Sequence, residues 1–188
     1  AAAGMKLTWS PASNVALYGA TTDIPAARKA GVTVALAPDW SMGGSQNMLD
    51  ELRFADDWDN SHWNNLLTAK VIFHMATVNA AEAIGLGHKL GKLQKGYAAD
   101  VVVVVGNPAT PFDAVLAARP QFVKLVFVGG VPLYGDAAWQ ALGPANPGCE
   151  SLAVCGVDKF VCVATADGGT KGDQTFVKVK AVLEQAML

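Results

Sequence analysis

The chain has 188 residues, 52% of them hydrophobic and 16% charged, with a mean hydropathy of +0.27. An ordinary globular domain is ~45–50% apolar and ~25% charged, so the excess must lie in a generous core or against another chain. A net charge of −2 and a pI near 5.9 exclude the clustered basic face of a nucleic-acid binder. The apolar runs, such as residues 101–105, fall far short of the ~20 residues that cross a bilayer.

Residues 1–5 are small and apolar but lack the charged start, apolar stretch and cleavage site of a signal peptide. They read as the end of a helix leading into a strand at Lys6–Trp9, and with no targeting segment in view a cytoplasmic protein is expected. Ser10 to Asn14 follows as a loop. Thr22 and Asp23 offer an N-cap before Pro25, and the helix Ile24–Ala30 stops at Gly31. Residues 32–37, Val-Thr-Val-Ala-Leu-Ala, form a continuous apolar run of strand length, the pattern of a parallel strand covered on both faces. A polar, glycine-containing loop, 38–46, leads into a helix at about 47–57. Two strand–helix units in succession imply a parallel sheet or a (β/α) barrel.

Downstream, 66–75 and 79–84 read as helices, the second ending at Gly85. The texture changes near Leu90. Residues 92–96 read as a short strand and turn, 101–105 as an apolar strand and 112–118 as a short helix. Strands 122–128 and 131–134 flank Gly129-Gly130, a hairpin signal because both central positions tolerate positive φ. Residues 144–147 read as a linker, followed by short strands at 152–154 and 160–164 and an amphipathic helix at 174–187. The expected organisation is three parts: 1–89, 90–136 and 137–188.

Asp39 is the informative residue. It stands directly beyond a buried parallel strand, the end at which loops converge on the site in folds of this kind. A carboxylate there can bind a hard or borderline cation, orient a water and take its proton, or merely form a turn. Ser13 and Asn14, in the preceding strand-end loop, are candidates for substrate contact, although both residue types also make turns. His62, His74 and His88 are spaced by 12 and 14 residues with no H-x-H or H-x-x-x-H pair, so they do not assemble a zinc site, which wants about three protein ligands. Cys149, Cys155 and Cys162 match no zinc spacing, and read as structural thiols ahead of a disulfide or a metal site. Gly43-Gly44 and Gly168-Gly169 fit neither a phosphate loop nor a dinucleotide fingerprint, and no G-x-S-x-G elbow is present.

The ordered segments Trp9-Ser-Pro-Ala-Ser-Asn14, Leu17-Tyr-Gly19 and Val34-Ala-Leu-Ala-Pro-Asp39 resemble the last strands of the amidohydrolase superfamily barrel, in its cytosine deaminase-like, guanine deaminase-like and chlorohydrolase-like branch. Residues 75–81 and 84–86 are similar to that family's exit from the barrel, 90–96 with the valine strand to its return into a small β-sandwich, and 126–131 to the closing hairpin. The resemblance spans residues 5–135 and implies an α/β chain. It comprises the last strands and helices of a (β/α)8 barrel, the C-terminal part of a β-sandwich and an α/β extension. It implies a metal-dependent hydrolase of C–N, or C–Cl, bonds in cyclic amides, amidines or aminated heterocycles, with zinc (or else iron) as the divalent metal. Asp39 takes the roles of metal ligand and base. Ser13 and Asn14, Asn14 ahead of Ser13, lie near the small-molecule substrate.

The family's metal-binding histidines have no counterpart here. The chain is therefore expected to be a fragment that does not retain the metal alone and associates with the missing N-terminal half or another copy of itself, as a homo-oligomer. The competing expectation is a non-catalytic subunit without independent activity.

Overall fold

The computed structural model describes residues 4–142, 149–162 and 174–187. The described residues divide into two compact units, one formed by 1–97 with 106–119 and the other by 98–105 with 120–188.

The first unit is built on two parallel strands, β1 (Lys6–Trp9) and β2 (Thr33–Leu36), paired from Lys6 opposite Thr33 to Trp9 opposite Leu36. The connection carries α1 (Pro11–Tyr18) and α2 (Ile24–Lys29). Asp23 caps α2 by accepting from the Ala26 amide, and Gly31, at φ 75°, turns the chain into β2. Residues 10–14, expected as a loop, instead open a helix. Pro11 supplies the pre-set φ of a first helical residue and has no N–H to leave unpaired.

After β2, the loop 38–46 leads to α3 (Met48–His62), capped by Asn47, whose side chain accepts from the Asp50 amide. This helix runs a full turn beyond its sequence-predicted end. Asp59, buried on it, accepts from the Leu66 and Leu67 amides at 3.2 and 2.9 Å and so anchors the left-handed turn at Asn64 and Asn65. Then come α4 (Ala69–Ala76), capped by Thr68, α5 (Val78–Ala83) and, from beyond the valine strand, α6 (Pro111–Ala117). Trp9, Ile24, Val34, Leu36, Leu52, Leu67, Ile72, Met75 and Leu116 make one core. Fully burying side chains of this kind stabilises by ~1.5–3 kcal/mol each.

The second unit is an antiparallel sheet in the order β3-β4-β5-β7-β6, from β3 (Val101–Val104), β4 (Val123–Val128), β5 (Val131–Asp136), β6 (Cys149–Val154) and β7 (Val157–Cys162). The expected hairpin is present, with Gly129 and Gly130 at φ 58° and 84°. The strand expected at 92–96 is absent. That segment is turn and coil, with Lys92, Gln94 and Lys95 too polar for a buried strand. The linker expected at 144–147 and the glycine pair 168–169 lie outside the described residues. Helix α7 (Phe176–Ala186) begins where the Glu150 carboxylate accepts from the Phe176 and Val177 amides. Among the described residues no helix is long and apolar enough to cross a membrane.

The cysteines depart from expectation. Cys149 and Cys162 are register partners on β6 and β7 and form a disulfide, while Cys155 stays exposed in the hairpin turn. Pairing antiparallel strands brings the two thiols face to face, which their spacing in sequence does not reveal. The bridge joins residues 13 apart, and in the loop-entropy view closing so short a loop is worth ~2–3 kcal/mol. Urea unfolding with and without reductant is expected to show a loss of about that size on reduction. An unchanged midpoint would mean that strand pairing alone fixes this hairpin.

Candidate active site

The site forms where the chain leaves β1 and β2 at their C-terminal ends. Asp39 lies three residues beyond β2, exposed, and its Oδ2 accepts a 2.8 Å hydrogen bond from the Ser13 hydroxyl. Ser13 is buried in the first turn of α1, so the serine is a fixed donor and the carboxylate a held acceptor. The two residues come from different strand–helix units, 26 positions apart in sequence.

Asn14 belongs to a second network. The Trp9 indole N–H donates to the Thr21 hydroxyl at 2.7 Å, and that hydroxyl donates to Asn14 Oδ1 at 3.1 Å. The relay fixes the half-buried Asn14 amide beside Ser13.

Sequence reasoning missed a third participant, Glu51 on α3. Its side chain is wholly buried, Oε1 accepts from the Ala12 amide at 3.3 Å, and Oε2 has no hydrogen-bond partner. Burial pushes this carboxyl above its ordinary range. The hydrogen bond from the Ala12 amide and the neighbouring Ser45 side chain oppose that shift, and the charges of Asp39 and Asp50 add to it. The signal was present in the helix pattern. Glu51 lies four residues before Ala55 on the buried stripe that also carries Leu52 and Asp59, so an acid occupies a core-facing position.

The loop 38–46 folds closely over α1. A Cβ on Gly44 would stand 2.8 Å from the Trp40 carbonyl and 3.3 Å from Ser13 Cβ, so only glycine fits there. A shallow groove of about 490 Å³ runs along α1 and α3 past Ala12, Ser45, Asp50 and Arg53, but Asp39 does not line it.

The histidines do not join Asp39. His62 ends α3 with its ring stacked on Trp58 at 3.6 Å, His74 lies within α4 near Phe112, and His88 is exposed in a loop. Among the described residues no three His, Cys, Asp or Glu side chains converge to hold a metal ion. Asp39 fits a divalent ion as a single ligand, being an exposed carboxylate oriented by a hydroxyl donor. The remaining ligands of a zinc centre must come from elsewhere.

The sequence model of the amidohydrolase family matches residues 3–133. The chain belongs to the amidohydrolase family. A 5-methylthioadenosine/S-adenosylhomocysteine deaminase from Caldicellulosiruptor saccharolyticus is 30% identical over 143 residues, covering 71% of this chain and 33% of the relative. Among solved structures, E. coli guanine deaminase superposes with a TM-score of 0.62 at 21% identity, over 70% of this chain and 34% of the deaminase, and carries the fold likeness alone. An atrazine chlorohydrolase from Arthrobacter aurescens, complexed with zinc, gives a TM-score of 0.57 at 26% identity, over 70% and 32% of the two chains. This amidohydrolase chain thus spans about a third of the length of the proteins it matches.

Proposed function

We propose that the first unit is the closing part of a (β/α)8 barrel, that the five-stranded sheet belongs to a β-sandwich, and that the whole protein deaminates aminated heterocycles of the purine nucleoside class. The observation that carries this reading is the Ser13-held Asp39 carboxylate at the C-terminal end of β2, inside the stretch that matches the amidohydrolase family. The substrate class is suggested by the deaminase relatives, whose names specify aminopurine thioether nucleosides.

In this reading Asp39 is a ligand of a divalent ion, zinc first. When bound, such an ion polarises the substrate and lowers the pKa of water toward ~7. Asp39 accepts the proton of the attacking water and delivers it to the departing amine, so its carboxylate must hold one orientation through both transfers. The Ser13 hydroxyl supplies that orientation. Its single proton is engaged by Asp39, but its lone pairs can still accept from a substrate group. Asn14, fixed by Thr21, is assigned to substrate contact.

The test is ammonia release from 5′-methylthioadenosine, S-adenosylhomocysteine and guanine by the zinc-loaded full-length protein. Turnover lost on chelation and restored by zinc is expected. No release from any aminopurine would overturn the reading. The absence of a three-ligand cluster among the described residues favours a second reading for the chain by itself, as a non-catalytic piece that works only with a partner. Stoichiometric zinc on this chain alone, as a monomer, would contradict that one.

A further inference from the structure

We propose that Glu51 is the positioning residue of the site: its buried carboxyl fixes the first turn of α1, and through that turn sets the Ser13 hydroxyl against Asp39. The proposal rests on the reading of Asp39 as a metal ligand given above.

The first turn of α1 has an unmet need. The first amides of a helix have no intrahelical acceptor and are ordinarily capped by the residue before it. In α1 that residue, Ser10, makes no side-chain cap. Pro11 has no N–H, so Ala12 carries the first orphan donor. Its acceptor comes from 39 residues away, Glu51 Oε1 on α3. The capped residue, Ala12, immediately precedes Ser13, so the acceptor that fixes the Ala12 amide also fixes where the serine Cα stands. The same α3 carboxyl lies against Ser45, the residue after Gly44, where an added Cβ would stand 3.3 Å from Ser13 Cβ. Glu51 thus sits behind both strand-end segments, the one bearing Ser13 and the one bearing Asp39.

Space-filling alone does not account for a carboxyl here. Burying an acid with one oxygen unpartnered is costly, and each such group in a folded protein calls for an explanation. A leucine would fill the space without that cost, but it could not accept from Ala12. What the carboxyl supplies is a hydrogen-bond acceptor at one fixed point between α1 and α3. Partners that orient a metal ligand typically contribute ~10–100-fold to metal affinity or activity.

The experiment uses the zinc-loaded full-length protein and compares Glu51→Leu, Glu51→Gln, Ser13→Ala and the Ser13→Ala/Glu51→Leu double variant. Zinc affinity is measured by chelator competition, kcat and KM on the aminopurine that is turned over, and the thermal midpoint as a check on folding. Glu51→Leu should weaken zinc binding ~10–100-fold and lower kcat more than KM is raised. Glu51→Gln, which keeps an acceptor for Ala12, should recover most of that loss. The double variant should be little worse than Glu51→Leu, because the two side chains act along one path. Native zinc affinity in a folded Glu51→Leu, no recovery by Gln, or additive losses in the double variant would each overturn the proposal. Should Glu51→Leu fail to fold, Glu51→Asp withdraws the acceptor by one methylene and is judged by the same criteria. A protein that binds zinc but deaminates nothing refutes the substrate reading, while the affinity arm still decides Glu51. A wild type that binds no zinc overturns both.

Discussion

Replacing Asp39 by asparagine in the full-length protein is expected to cut kcat by at least ~10²–10⁴-fold, the range for losing a positioned acid–base group alone. Asparagine keeps the size of aspartate, and its amide oxygen can still accept from Ser13. In the proposed mechanism, what it loses is the negative charge that would hold a cation and the oxygen that would accept a proton. Because Asp39 is exposed and outside the core, unfolding free energy should change by no more than ~0.5 kcal/mol. The informative pattern is therefore lost turnover with weakened zinc binding and intact stability. Wild-type activity in Asp39→Asn would remove this residue from the mechanism.

Replacing Asp136 by asparagine is expected to damage the second unit, not the chemistry. Lys159 is completely buried, and its ammonium donates to the carbonyls of Gln121 and Val123 at 3.0 and 2.7 Å and to Asp136, which also pairs with Lys124. Removing the acid leaves a buried cation without its counter-charge, an error that costs ~3–5 kcal/mol. Urea denaturation should show it directly, and adding Lys159→Met should recover part of the loss. The same triad sets an acid limit. Burial raises the Asp136 carboxyl, but hydrogen bonds and charge from Lys124 and Lys159 outweigh it and hold it below its ordinary 3.8. A carboxyl depressed on folding contributes stability that is complete above the unfolded value and disappears as pH falls through the folded one. Wild-type stability should therefore fall below about pH 4 through this group. That part of the acid loss should be absent in Asp136→Asn. An unchanged acid limb in the variant would assign the sensitivity elsewhere.

Much of this was legible where local pattern and global packing agree. The apolar run containing Thr33–Leu36 had the pattern of a covered strand, Asp23-Ile-Pro25 announced a helix start, and Gly129-Gly130 announced a hairpin. What escaped depends on partners distant in sequence. Helix α1 begins with Ser10 and Pro11, which read locally as a turn; the acceptor that satisfies its first amide arrives from α3. The Cys149–Cys162 bridge follows from strand register, and register is not visible in spacing. Residues 92–96 read as a short strand and turn, but with Lys92, Gln94 and Lys95 too polar for a buried strand they stay turn and coil. Asp39 stood out as a candidate from its place in the chain, whereas its hydrogen bond from Ser13 depends on a loop meeting the first turn of α1.

The way the two units share the chain bears on how such a protein can be recombined. The polypeptide passes between them three times, at 97/98, 105/106 and 119/120, because α6 returns to the first unit after the valine strand has joined the second. Leu116 of α6 is part of the core with Ile72 and Met75. Ending the chain at residue 97 would therefore leave a hole where that side chain packs, and losing a large buried apolar group of this kind costs ~2–5 kcal/mol. Neither unit is a cassette that a single splice can move. Exchanging either unit of this chain would mean exchanging all three junctions together, so the two units move as one.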